Sequence, residues 1–216
     1  LLNNQDLQAT YQDLGIAQAD VVQAGLLTNP SVGLERRTPG KAAEADLAFG
    51  FLDVFLVPLR QRVAGAEFEA AKLRVTEDVV HHAFDTRKAY FDLQEKMQLL
   101  ELREKVAAAT EASAESARRL REAGNVPLIE VQREELLAAE SKLELAAAEG
   151  EVVEAREHLN RLMGLWGPAT GWTIPVRLPE LPSKDGIPER LEPIAIESRL
   201  DLAAVIVLVS PNVIAK

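Results

Sequence analysis

The chain has 216 residues, a formal charge of -10 from 34 Asp plus Glu against 24 Lys plus Arg, no cysteine and 47% hydrophobic residues, enough for one large domain or two small ones. That acidity, with no clustered basic face, argues against nucleic acid as a partner. No run approaches the ~18 to 20 apolar residues of a membrane-spanning helix, and 32 alanines against 10 aromatic residues favour helices packed at close spacing.

The opening Leu1-Leu2-Asn3-Asn4 carries no basic-then-apolar leader, so a secretion signal is either absent or upstream. Residues 4–28 predict a helix. Leu7, Leu14 and Val21 recur every seven positions, with Thr10, Ala17 and Ala24 three places after each, which is a heptad seam ended at Asn29-Pro30. A β-hairpin is expected next, from Ser31–Arg37 through the turn residues Thr38-Pro39-Gly40-Lys41 to Ala45–Val57. Its second arm sets Leu47, Phe49, Phe51, Phe55 and Val57 on one face. That face fits either an antiparallel pair packed on a helix or a barrel hairpin turned to lipid.

From Pro58 a helical pattern runs to Ala123, broken in propensity only by Gly65, with Ala83, Thr86, Tyr90, Leu93, Met97 and Leu100 as its seam. Such a helix would measure roughly 95 Å, too long for a 216-residue globule with a radius of gyration near ~17 Å. Gly124-Asn125 then stops it and Pro127 starts a second helix that reaches Met163 before Gly164. On this helix Val131, Ala138, Leu145, Val152 and Leu159 repeat at sevens. Leu136, Ala139, Leu143, Ala146, Gly150 and Val153 widen the stripe, so further helices are expected to dock and the chain to oligomerise. The two long helices must form an antiparallel hairpin. Beyond Trp166-Gly167, prolines 168, 175, 179, 182, 188 and 193 mark a linker with short elements, among them a turn or two at Glu189–Ile196 and an apolar segment at Leu200–Val209.

Three histidines leave little for a metal site. His81-His82, with Asp78 and Asp85 one helical turn away, is the best candidate, but adjacent histidines diverge on a helix and a solvated face is the reading adopted. His158 reads as a surface residue. Phosphate loops, a serine elbow and a carboxylate cleft have no counterpart in the sequence, so neither an enzyme nor a cofactor is expected.

The order of these pieces carries a resemblance. Ala17-Gln18-Ala19-Asp20-Val21-Val22-Gln23-Ala24-Gly25-Leu26-Leu27-Thr28-Asn29-Pro30, a strand pair, and a long helix with Lys88-Ala89-Tyr90-Phe91-Asp92-Leu93 resemble the TolC-like outer-membrane efflux protein family. The turn Arg119-Leu120-Arg121-Glu122-Ala123-Gly124-Asn125-Val126-Pro127-Leu128-Ile129-Glu130-Val131 and the returning helix to Leu159-Asn160-Arg161-Leu162-Met163-Gly164 look like that family's periplasmic tip. Glu197-Ser198-Arg199-Leu200-Asp201-Leu202-Ala203-Ala204 is similar to the opening of its second repeat, with Leu200 where a proline usually stands. The Ala-Gly-Leu-Leu-x-Asn-Pro form leans toward the metal-efflux branch that resembles CzcC.

The resemblance implies a mainly α fold: a long coiled-coil helical hairpin, an N-terminal helix and one β-hairpin belonging to an outer-membrane barrel. It divides the chain into a tunnel helix (1–29), barrel strands (30–57), the long hairpin with its tip at 123–128 (58–164), a proline-rich connector (165–200) and the start of a second repeat (201–216). The family carries the repeat twice and this chain once, so it reads as a single-repeat piece of a longer protein; a trimer of such pieces would bring six strands, below the usual eight. The implied function is passive export of metal ions or drugs through a homotrimeric outer-membrane channel with helices in the periplasm. It would work with a periplasmic adaptor and an inner-membrane pump. Implied site residues are Arg119, Leu120, Gly124, Val126 and Leu128 at an adaptor-contacting tip, and Leu47, Phe49 and Phe51 facing lipid, with no metal ligands. The alternative is a soluble periplasmic coiled-coil scaffold or adaptor.

Overall fold

The structure, a computed structural model, describes residues 4–29, 31–36, 43–48, 50, 52–180 and 190–209. Its elements are α1 (Gln5–Ala24), β1 (Ser31–Arg36), β2 (Ala43–Ala48), α2 (Asp53–Glu122), α3 (Leu128–Met163), a 3-10 turn at Gly167–Thr170, α4 (Leu191–Glu197) and α5 (Leu200–Val209). They fall into two compact units, Asp6–Val80 with Ile187–Lys216 and Leu1–Gln5 with His81–Gly186, and α2 contributes to both.

In the first of these units the heptad reading of α1 is written into its burial. Leu7 is buried and Thr10, Leu14, Ala17, Val21 and Ala24 are half-buried, while nearly every other α1 residue is exposed. The helix ends four residues before the expected Thr28, because Gly25 and Leu26 donate to the carbonyls of Val22 and Gln23 and tighten the last turn. A Cβ at Gly25 would sit 2.5 Å from the terminal nitrogen of the flexible Gln61 side chain of α2, which would have to swing aside. Strands β1 and β2 pair antiparallel, from Ser31 opposite Ala48 to Arg36 opposite Ala43.

The expected second strand arm is too long. β2 stops at Ala48, the Asp53 N–H donates to Gly50 at 3.0 Å, and α2 is under way from Asp53, so Phe55 and Val57 are helical and Pro58 lies inside the helix instead of at its start. Two periodicities compete over this stretch. Asp53 falls on the face that strict alternation needs apolar, whereas Leu52, Phe55, Leu56, Leu59 and Val63 recur at the three- and four-residue steps of a helix and share one exposed stripe. Further along, α1 and α2 border an open groove of about 500 Å³ lined by Asp13, Asp20, Glu67, Asp78 and Arg74, and reached by Leu208 of α5.

The other unit is an antiparallel pair made by the second half of α2 and by α3. On α3 the buried or half-buried positions alternate by three and four from Val131 through Glu134, Ala138, Ser141, Leu145, Ala148, Val152 and Ala155 to Leu159. The facing seam of α2 is Thr86, Ala89, Leu93, Leu100, Ala107, Thr110, Ala114 and Ala117; Ala83, expected in it, is exposed. Small residues dominate both seams near the turn, and the large ones gather at the far end, where Ala89, Leu93, Ala155 and Leu159 form the core with Tyr90, Met97, Val152, Leu162 and Met163 packed around it. The widened stripe on α3 finds no cover within the unit: Leu136, Leu143 and Val153 are exposed.

The connector is more ordered than a linker with short elements. Trp172 and Ile174 pack on that same core. The Trp172 indole donates to Asn160 Oδ1 at 2.8 Å and lies under the Arg156 guanidinium at 4.3 Å, and the Gln94 amide donates to the carbonyls of Pro175 and Arg177 at 2.8 and 3.1 Å.

Candidate functional site

The tip is built from a backbone device. Gly124 has φ 78°, its N–H donates to Arg121 at 2.9 Å and the Asn125 N–H reaches back to Leu120 at 2.9 Å. This is a left-handed glycine closing a helix by a paired 5→2 and 6→1 bond, for which a residue without Cβ is favoured. Pro127 (φ -71°, ψ 159°) then caps α3 in extended geometry, consistent with its lack of an N–H, and its carbonyl accepts from Glu130 at 3.1 Å.

Around this turn Leu120 and Leu128 are exposed, as is Ile129 at 65%. Val126, expected to be exposed, is half-buried, and its carbonyl accepts from Arg121 at 3.2 Å. The basic cluster is largely answered by carboxylates. Arg118 donates to Glu135 and Glu115, both at 2.8 Å, and Arg119 to Glu115 at 2.9 Å. Its neighbours hold Glu115 below the usual carboxylate range, Arg119 first and then Arg118, while Lys142 does the same for Glu111. Arg119 nevertheless keeps a side chain that is 75% exposed. The tip thus presents three aliphatic side chains and two accessible guanidiniums, Arg119 partly matched from below by Glu115 and Arg121 bonded to a backbone carbonyl. Such a surface can bind an apolar partner with polar groups at its rim.

Below the tip the arms are tied rung by rung. Arg118 to Glu135, Glu111 to Lys142, Arg103 to Glu144 and Lys96 to Glu151 follow one another, residue numbers rising on α3 as they fall on α2, and Thr110 bonds Ser141 beside the second rung. Glu151 raises the Lys96 ammonium above its ordinary value through a direct hydrogen bond.

Of the residues expected to face lipid, Leu47 stands in β2 opposite Val32, and Phe49 and Phe51 lie outside the described residues. The histidine pair has a structural part: His82 Nε2 meets the Leu162 carbonyl at 2.8 Å, and Asn4 donates to the same carbonyl at 3.0 Å, so two side chains serve the C-terminal end of α3. His158 is exposed and contacts Arg161 at 3.5 Å. Among the described residues no group of three His, Asp or Glu side chains converges to hold a metal ion, and no described helix is long and apolar enough to cross a membrane. Sequence reasoning missed Ile129, whose signal was its place one residue past Leu128 on the same first turn, and it missed the Gln94, Asn160, Arg156 and Trp172 ties, which have no local signature.

An N-terminal helix, a strand pair, a very long helix, a tight turn and a returning helix define a fold that solved structures share. CusC, described for the conformational changes accompanying its folding and transmembrane channel formation, matches with a TM-score of 0.70 at 15% identity over 98% of this chain and 52% of its own. A membrane protein from Pseudomonas aeruginosa matches with a TM-score of 0.76 at 18% identity over 96% of this chain and 53% of its own. The outer-membrane channel OprN matches with a TM-score of 0.63 at 19% identity over 96% and 50%. The chain therefore spans about half the length of each. No protein-family model matches the sequence, and no curated protein matches it.

Proposed function

We propose that this chain is one repeat of the outer-membrane channel component of a tripartite efflux system, a passive conduit for export of metal ions or drugs from a Gram-negative cell. What carries the reading is the likeness of fold, over nearly the whole chain, to CusC and OprN. In it β1 and β2 contribute barrel strands with Leu47, Phe49 and Phe51 toward outer-membrane lipid. The helices line a periplasmic tunnel in a full-length homotrimer. The tip, through Arg119, Leu120, Val126 and Leu128 on the frame set by Gly124, meets a periplasmic adaptor that links it to an inner-membrane pump. The exposed aliphatic residues at the turn support the last assignment, since a solvent-facing Leu128 and Ile129 at a hairpin end are covered only by a partner.

The test uses the full-length protein. Gly124→Pro or Leu128→Asp is expected to abolish efflux while trimer assembly and membrane insertion persist; unchanged adaptor cross-linking and resistance in both variants would make the turn purely structural. The competing reading, a soluble periplasmic coiled-coil scaffold, is favoured instead if the full-length protein is recovered wholly in a detergent-free soluble fraction.

A further inference from the structure

The connector after α3 lies along the core end of the α2–α3 pair without sharing a backbone ladder with it. Trp172, Ile174 and Val176 are half-buried and alternate with exposed Gly171, Thr173, Pro175 and Arg177, the pattern of an extended segment laid on a surface. Among the described residues, the hydrogen bonds between this segment and the helices run from a side chain at one end. Gln94, only 3% exposed, gives its amide hydrogens to Pro175 and Arg177; Arg156 donates to Thr170 and Trp172; Trp172 donates to Asn160, itself 2% exposed. The outermost tie, Arg177 to Glu101 at 3.5 Å, is on an exposed arginine and adds little.

We propose that Gly167–Arg177 is a releasable strap, latched by Gln94 and Trp172, whose docking holds the core end of the α2–α3 pair together and whose release lets that end spread and frees the connector. A segment fixed by a handful of side-chain contacts opens at lower free energy than the helices it crosses. Undocked, its about eleven residues reach up to ~36 to 40 Å. Trp172 and Ile174 bridge both helices, because the cluster they cover draws Ala89 and Leu93 from α2 and Ala155 and Leu159 from α3. Lifting them uncovers the large-residue core around Leu93 and Leu159, whereas the tip, closed by Gly124 and by ion pairs, keeps all its contacts.

The decisive change is Gln94→Glu. It is isosteric, yet it turns the donor face of the amide into a carboxylate aimed at two carbonyl oxygens. In the whole chain at neutral pH, hydrogen exchange of the 167–177 amides should quicken at least ~10-fold. Because the protein has no cysteine, spin labels at Lys88→Cys and Glu154→Cys can report the core end, and at Ala112→Cys and Gln132→Cys the tip. The first distance distribution should broaden and the second stay narrow, with helical circular dichroism retained. Lowering the pH until the introduced carboxyl is protonated should restore a donor and slow the exchange again after correction for each amide's intrinsic rate. Trp172→Ala, which undoes the other latch without touching either helix, must give the same two changes and no recovery with pH. Wild-type exchange in both variants would overturn the latch, and a released strap with an unbroadened Lys88–Glu154 distance would overturn its clamping role.

Discussion

The two ends of the α2–α3 pair are held by different physics. At the tip the backbone does most of the work, through the left-handed Gly124 and its paired bonds, and what surrounds it is exposed ion pairs and alanine-sized packing. At the opposite end the side chains do it: Leu93 is fully buried, Leu159 is 2% exposed, and Trp172, Asn160, Arg156 and Gln94 interlock above them. An end built on a turn can change its surface residues freely as long as the glycine stays. An end built on interlocking side chains tolerates few changes, but it offers contacts that can be unmade one at a time.

The largest expected effect that separates the ends is on core truncation. Leu159→Ala should lose ~2 to 5 kcal/mol, since it empties a buried site ringed by large residues, while Ala114→Gly on the tip side should lose only ~1 kcal/mol through helix propensity. Chemical denaturation of both variants measures the gap; equal losses would erase the distinction between the ends. Next in size are the glycines. Gly164 ends α3 as Gly124 ends α2, with φ 66° and N–H groups of residues 164 and 165 returned to Arg161 and Asn160. Alanine at either should cost ~1 to 2 kcal/mol for the left-handed backbone. At Gly164 it should in addition disturb Asn160 and hence the Trp172 indole, visible as a change in tryptophan fluorescence that Gly124→Ala does not produce.

The smallest effect is pH-dependent and belongs to the tip. Glu111 and Glu115 are held below their ordinary pKa of 4.5 by Lys142 and by Arg119 with Arg118. A carboxylate so depressed stabilises the fold while ionised, so its contribution is present above the unfolded value and is lost as the pH falls through the folded one. These groups are exposed, so the contribution is small. Amide exchange near residues 111–122, corrected for intrinsic rates, should therefore loosen slightly below about pH 4.5, and exchange around Leu93 should not follow it.

Much of this arrangement was legible in the sequence. The heptads of α1 and α3, the stop at Gly124-Asn125 and the restart at Pro127 are local signals, and each sits where periodicity and turn chemistry put it. The strand arm ran past β2 because Phe55 and Val57 satisfy a period of two as well as a helix does when Asp53 is overlooked. The α2 seam drifted, with Ala83 drawn in and Ala89 left out, since alanine carries little contrast in hydrophobicity and the far contacts that decide its burial lie on α3. At the turn, the bend at Gly124 and the exposure of Leu120, Leu128 and Arg119 follow from local sequence, whereas the half-burial of Val126 does not, because the Arg121 side chain that bonds its carbonyl cannot be read from spacing. The strap was invisible for the same reason: proline-rich sequence announces the absence of helix, and says nothing about whether Gln94, eighty-one residues before Pro175, waits beneath it.

The seven-residue seam shared by both arms has one further consequence, for how such hairpins can vary in length. Because Val131, Ala138, Leu145, Val152 and Leu159 on α3 return to one face every seventh residue, and α2 answers with Thr86, Leu93, Leu100, Ala107 and Ala114, a heptad deleted from each arm at the same level would leave every remaining residue opposite its present partner. The pair would shorten by ~10.5 Å with its turn and its strap untouched. Length is thus a separable quantity in this molecule, adjustable in whole steps without redesigning either end, whereas a heptad removed from one arm alone would set every rung on the strap side of the deletion against the wrong neighbour.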